Sequence, residues 1–136
     1  MERLVSYVAI RRYDYVLKSL DVAEKGKMAF GDAAGSVVTM TPGGVPLGVF
    51  ATSLVGDGVK KVTVQFWNEI FAYWWANDTA ALLTLANLWD VAYVKDSATV
   101  SGTGTVALGL ILDIDAAQGV LVYSTYPAAA LVPPVI

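Results

Sequence analysis

The chain has no cysteine and no histidine. Without cysteine there is no disulfide framework, no thiolate nucleophile and no cysteine-ligated zinc site. Without histidine the usual general base at neutral pH and the commonest metal ligand are gone, and an ordinary Ser-His-Asp triad cannot be assembled. Charge is scarce too: Asp, Glu, Lys and Arg make up 15% of the residues, against about 25% in an average domain. The 9 Lys and Arg are scattered along the chain and the net charge is −3, which argues against nucleic-acid binding. Long apolar runs are also missing, since none reaches the ~20 residues that span a bilayer. The strongest candidate, TVALGLILDID, is cut by Asp113 and Asp115. The N-terminal MERLVSYVAIRRYDY closes its apolar run with Arg11 and Arg12 and has no clear cleavage region, so it does not read as a signal peptide. The expectation is a non-enzymatic protein with no cofactor, no bound metal, no nucleic-acid partner and no membrane span.

What is present is apolar surface. The hydrophobic fraction is 56% and the mean hydropathy +0.56. At 136 residues the chain is one domain by length and long enough to bury a core unaided. With so little charge to cover it, such a domain buries surface in an oligomer or inside a larger assembly.

Turn chemistry recurs at short intervals. GDAAGS (Gly31 to Ser36), TPGGVP (Thr41 to Pro46) and GDG (Gly56 to Gly58) separate the apolar runs VVTM, LGVFATSLV and KVTVQFW. Glycine supplies positive φ and proline presets its own φ, so these are turns with a mechanism. In KVTVQFW, Val62, Val64 and Phe66 alternate with Thr63, Gln65 and Trp67, the period of a strand. Strands at this spacing predict a mainly β fold, a small sandwich or barrel. NDTAALLTLANLWD is the one helical candidate. Asn77 or Asp78 could cap it, and Leu82, Leu85 and Trp89 fall at helical spacing. Residues 1–24 read as an extended arm or strand with Tyr13, Tyr15 and Leu17 on one face. Residues 25–126 read as the compact β body, and 127–136 as an apolar, proline-bearing tail. The body echoes itself. A run ending LGVF and a later run ending LGLI place Gly48 opposite Gly109, which points to two similar β units at about 25–67 and 85–126.

The densest feature is FWNEIFAYWWAND, Phe66 to Asp78, in which 6 of 13 residues are aromatic and which holds three of the 4 tryptophans. If Ile70–Trp75 is a strand, Ile70, Ala72 and Trp74 share one face and Phe71, Tyr73 and Trp75 the other, so both faces need covering. One reading is core plus subunit interface, with Tyr13, Tyr15, Phe66, Trp67, Phe71, Tyr73, Trp74 and Trp75 as the interface candidates. The other is a sugar platform, with Trp67, Trp74 or Trp75 exposed and Asn68, Glu69, Asn77 and Asp78 orienting the ligand. Asp113 and Asp115 could form an oxygen-ligand site; a solvated strand end is the simpler reading. GDAAGS and SGTGT lack the lysine and helix context of a phosphate loop.

The segment KGKMAFGDAAGSVVTMTPGGVPLGVFATSLVGDGVKKVTVQFWNEIFAYWW resembles the head-decoration proteins of tailed bacteriophages, the lambda-type and related capsid cement families. The matching features are the GDAAGS turn, the LGVF strand, the GDG turn and the alternating VTVQFW. LWDVAYVKDSATVSGTGTVALGLILD is similar to those families' Gly-Asp-x-Val-Tyr run, with Trp89 in place of the glycine. The resemblance spans roughly residues 25 to 125. It implies a structural protein on the outer surface of the virion capsid, made in the host cytoplasm. There it would contact the major capsid protein and bridge capsomers of the expanded head, with a homotrimer favoured. It also implies that residues 1 to 20 add a strand to a neighbouring sheet edge and that the tail serves subunit contacts. Another small virion β protein (tail, connector or fibre base) and a carbohydrate-binding module are the alternatives.

Overall fold

Apolar runs this short, each ended by a turn, can only form short strands. The computed structural model describes residues 12–41, 44–68 and 71–124, and within them the chain is mainly β. The strands are β1 (Arg12–Val16), β2 (Val22–Ala23), β3 (Met28–Gly31), β4 (Val37–Val38), β5 (Val45–Phe50), β6 (Leu54–Val55), β7 (Lys61–Phe66), β8 (Tyr73–Asn77), β9 (Val91–Asp96), β10 (Thr99–Ser101), β11 (Ala107–Asp115) and β12 (Gly119–Tyr123).

They form two bodies and a small ribbon. The first body is a five-stranded sheet in the order β1-β7-β5-β3-β4, whose edges are joined by a parallel bridge between Leu17 and Val37. The second is a closed barrel, β10-β8-β12-β11-β9. β2 and β6 pair as a two-stranded ribbon.

The two bodies are the same unit twice. Phe30 pairs with Val38 and Gly31 with Val37 in the first; Tyr93 pairs with Ser101 and Val94 with Val100 in the second. Ala29 faces Gly48 and, after a bulge, Phe30 faces Pro46; Ala92 faces Gly109 and, after a bulge, Tyr93 faces Ala107. Phe50–Val64 and Val49–Gln65 match Ile111–Val122 and Leu110–Tyr123. Tyr15–Val62 and Tyr13–Val64 match Trp75–Val120 and Tyr73–Val122. Even the closing parallel contact recurs, Leu17–Val37 in one and Asn77–Val100 in the other. The turn before the last strand repeats as well: Asp57 accepts from the N–H groups of Val59 and Lys60, and Asp115 from those of Ala117 and Gln118. The glycines that echo each other in sequence have one job. A Cβ on Gly48 would lie 1.9 Å from the Gln65 carbonyl oxygen, and one on Gly109 2.2 Å from that of Tyr123. Only glycine lets the neighbouring strand come this close. The repeat is larger than its sequence echo, because it includes β1 and β8.

Strand alternation fills the cores. Leu17, Ala29, Val37, Phe50, Val62 and Val64 close the first interior. The opposite faces of those strands, with Met28, Phe30, Val38, Val49 and Trp67, join one continuous cluster with Trp75, Ala92, Val100, Ile111, Val120 and Val122 of the second unit. The outer face of the first unit is therefore packed against the second.

Two expectations change, and a third lies largely outside the described residues. The helix over NDTAALLTLANLWD does not form; Leu85–Asn87 makes a single 3-10 turn. The strand expected over Ile70–Trp75 is Tyr73–Asn77, with Ile70 outside the described residues. Arg12–Val16 pairs in register with β7, while residues 1–11 and the tail 127–136 lie outside the described residues.

Candidate functional site

The aromatic stretch separates into three environments. Trp67 and Trp75 are buried. Their rings meet edge to face with centroids 6.3 Å apart, and Tyr73 lies 5.7 Å from Trp67 and 6.1 Å from Trp75. The Trp67 indole N–H donates to the Pro46 carbonyl at 3.0 Å. The Gln65 amide donates to the Tyr73 hydroxyl at 3.1 Å. Burial pushes the Tyr73 phenol above its ordinary pKa. These three rings are the joint between the units, which leaves neither Trp67 nor Trp75 for a sugar face.

Tyr13, Tyr15 and Phe66 gather at the corresponding end of the first unit. Tyr13 and Tyr15 are 5.2 Å apart, and Tyr15 meets Phe66 edge-on at 6.1 Å. Among the described residues this end is incompletely covered: Tyr13 is 54% exposed. Phe71 and Trp74 also stand in solvent, apart from both groups. The Asn68 side-chain oxygen accepts from the Phe71 N–H at 3.1 Å.

A second apolar surface was not among the sequence candidates. Leu82, Leu85 and Trp89, expected on the buried side of a helix, are exposed. Trp89 has φ 74, a left-handed backbone that costs a side-chain-bearing residue roughly 1–2 kcal/mol. The sequence signal that could have found it is Trp89 itself, a large aromatic residue directly before Asp90 in a turn-rich segment. Leu20, with φ 68 and 88% exposed, is the other non-glycine residue on such a backbone among the described residues. Its N–H is fixed by the Gly56 carbonyl and that of Trp89 by the Ile111 carbonyl.

Beneath this surface lies a groove of about 710 Å³ between segment 76–84 and the turn joining β11 to β12. Asn77 and Asp115, two of its polar side chains, are committed to the fold. Asn77 holds both the N–H and the C=O of Leu83, at 3.0 and 2.8 Å, and Asp115 holds its own turn. A small-molecule site needs a few convergent polar groups free to orient a ligand.

The other carboxylates are similarly engaged. Asp32 accepts from the N–H groups of Ala34 and Ser36, Asp96 from that of Ala98, and Asp21 from Thr39. Asp113 accepts from the next residue's N–H. Asp78 is buried with an ion pair to Lys95; that hydrogen bond first, then those from the Ala80 N–H and Ser101, hold its carboxyl below the usual range. Among the described residues no three His, Cys, Asp or Glu side chains come together as a metal site. Nor is any helix there long and apolar enough to cross a membrane. The geometry offers apolar surface and backbone-capping carboxylates.

Compared with protein-family models, with curated proteins and with solved structures, the chain matches none.

Proposed function

We propose that the chain is a structural virion protein that binds the outer surface of a tailed-phage head, bridges subunits of the major capsid protein and acts by burying surface, with no chemistry of its own. One observation carries this reading. The two large apolar residues on left-handed backbone, Leu20 and Trp89, are both strongly exposed. A folded chain gains nothing internally from holding leucine and tryptophan where glycine is easier. A partner that covers them gains about 1.5–3 kcal/mol per side chain. Leu82 and Leu85 lie on the same loop as Trp89 and would extend that contact. Modest single contacts become firm when several copies bind one lattice.

Co-sedimentation with expanded capsids from the same source tests the reading. Saturable binding in fixed ratio to the capsid protein is expected. Trp89→Gly and Leu20→Gly should retain or gain thermal stability while losing capsid affinity. Absence of binding to expanded capsids overturns the proposal, and tryptophan fluorescence that responds to glycans instead would place the chain among carbohydrate-binding modules.

A further inference from the structure

The two units carry the same outer row. In the first it runs across three strands as Met28, Val49 and Gln65, paired side by side. In the second the same register gives Val91, Leu110 and Tyr123. The first row is closed within the chain. Met28 is 0% and Val49 6% exposed, and both belong to the cluster shared with the second unit. The Met28 N–H donates to the Ser97 carbonyl at 2.9 Å, and Gln65 donates to Tyr73. Among the described residues the second row has no third unit to meet, and Val91, Leu110 and Tyr123 are only half-buried.

The other side of this contact also has an unmatched twin. Within the chain the first unit seats against the aromatic end of the second, Tyr73 and Trp75, capped by Trp67. The register makes Tyr13 and Tyr15 the equivalents of Tyr73 and Trp75. Among the described residues that end has no equivalent of the Trp67 cap.

We infer that a second copy of this chain supplies the missing partner: the Val91–Leu110–Tyr123 row of one copy seats on the Tyr13–Tyr15 end of the next, repeating between molecules the contact each molecule makes inside itself. The occupant is specified by the template, since the row and the end that fit each other in one chain recur, one on each unit, as two incompletely covered faces among the described residues. A stack of repeats with open terminal faces extends until something covers them. The contact is head-to-tail, so it closes into a ring if its rotation allows and otherwise propagates. Tyr123 stands where Gln65 stands, which turns an amide–phenol hydrogen bond into a ring–ring contact with Tyr13. The inference is independent of the capsid reading and its test needs no capsid.

The absence of cysteine makes the test clean. Tyr13→Cys and Tyr123→Cys are prepared as separate full-length chains, mixed, and treated with a short bifunctional maleimide. Covalent dimer is expected in the mixture and not in either chain alone. Light scattering should show a multiple of the 14.4 kDa chain mass. Leu110→Lys and, on the opposite face, the exposed Tyr13→Lys should each return the mass to 14.4 kDa with the circular dichroism spectrum unchanged. Tyr13→Cys cross-linking to itself would mean a two-fold contact and overturn the inference. So would a monomer at every concentration, or an oligomer that survives both lysine variants, including one held through residues 1–11 alone.

Discussion

Asp78 exchanges most of its water for three partners: the Lys95 ammonium, the Ala80 N–H and Ser101. All three favour the ionised carboxylate, and its pKa is lowered as a result. A carboxyl with a lower pKa folded than unfolded adds stability above its unfolded value of about 3.9. That contribution is lost as pH falls through the folded value. Melting temperatures of the native chain and Asp78→Asn should therefore differ most near neutrality and converge as the pH drops to about 2. A constant gap over that range would mean that the pair with Lys95 does not shift the carboxyl. Asp57 is lowered by the N–H groups of Lys60 and Val59, has the same sign, and is common to both proteins. None of this was legible in the sequence, where Asp78 reads as a helix cap or a sugar contact. Its partner Lys95 lies on β9, and only the barrel brings the two together.

Among the elements, the segment after β8 shows local pattern losing to backbone pairing. Leu82, Leu85 and Trp89 have helical spacing, but a helix needs the backbone groups of Leu83, which the Asn77 side chain holds at both N–H and C=O. Further on, Trp89 donates to Ile111 and Ile111 to Asp90, so the segment is drawn out as a strand partner. Asn77→Ala should leave both Leu83 groups unpaired and cost about 1–3 kcal/mol. Hydrogen exchange at the Leu83 amide should rise well beyond what global destabilisation alone produces. Unchanged protection there would remove the clamp from this account. Where pattern and pairing agree, the sequence is a good guide. Val62 and Val64 face inward as their alternation requires, and GDAAGS is a turn closed by Asp32. The same alternation could not say where β8 begins, because every residue from Ile70 to Trp75 is apolar and no polar position marks a face.

At the scale of the molecule, Trp67 decides whether the chain behaves as one body or two. It belongs to the first unit by sequence and to the second by packing, within a cluster that reaches from Met28 to Val122. The chain should therefore unfold in a single transition, with far-UV circular dichroism and tryptophan fluorescence superimposing. Trp67→Ala should cost about 3–5 kcal/mol, as for other buried aromatic residues, and separate the two curves. Two transitions in the native chain would show that the units fold independently despite the shared core. The duplication was half legible. Gly48 and Gly109 mark it because both must lack a Cβ. The β1–β8 correspondence is hidden because its signal is short: Tyr13 and Tyr15 match Tyr73 and Trp75, but Leu17 matches Asn77, and no paired glycine marks it.

A chain that carries one strand unit twice also carries a decoy for each of the repeated strands. During refolding β12 meets in β1 an edge with the register it needs, and β7 meets another in β8. Choosing correctly falls to the side chains that differ between the copies, while the backbone is indifferent. Divergence between the halves is thus a safeguard against misassembly, and variants that make the two units more alike should be the ones that exchange strands or tangle with a neighbour.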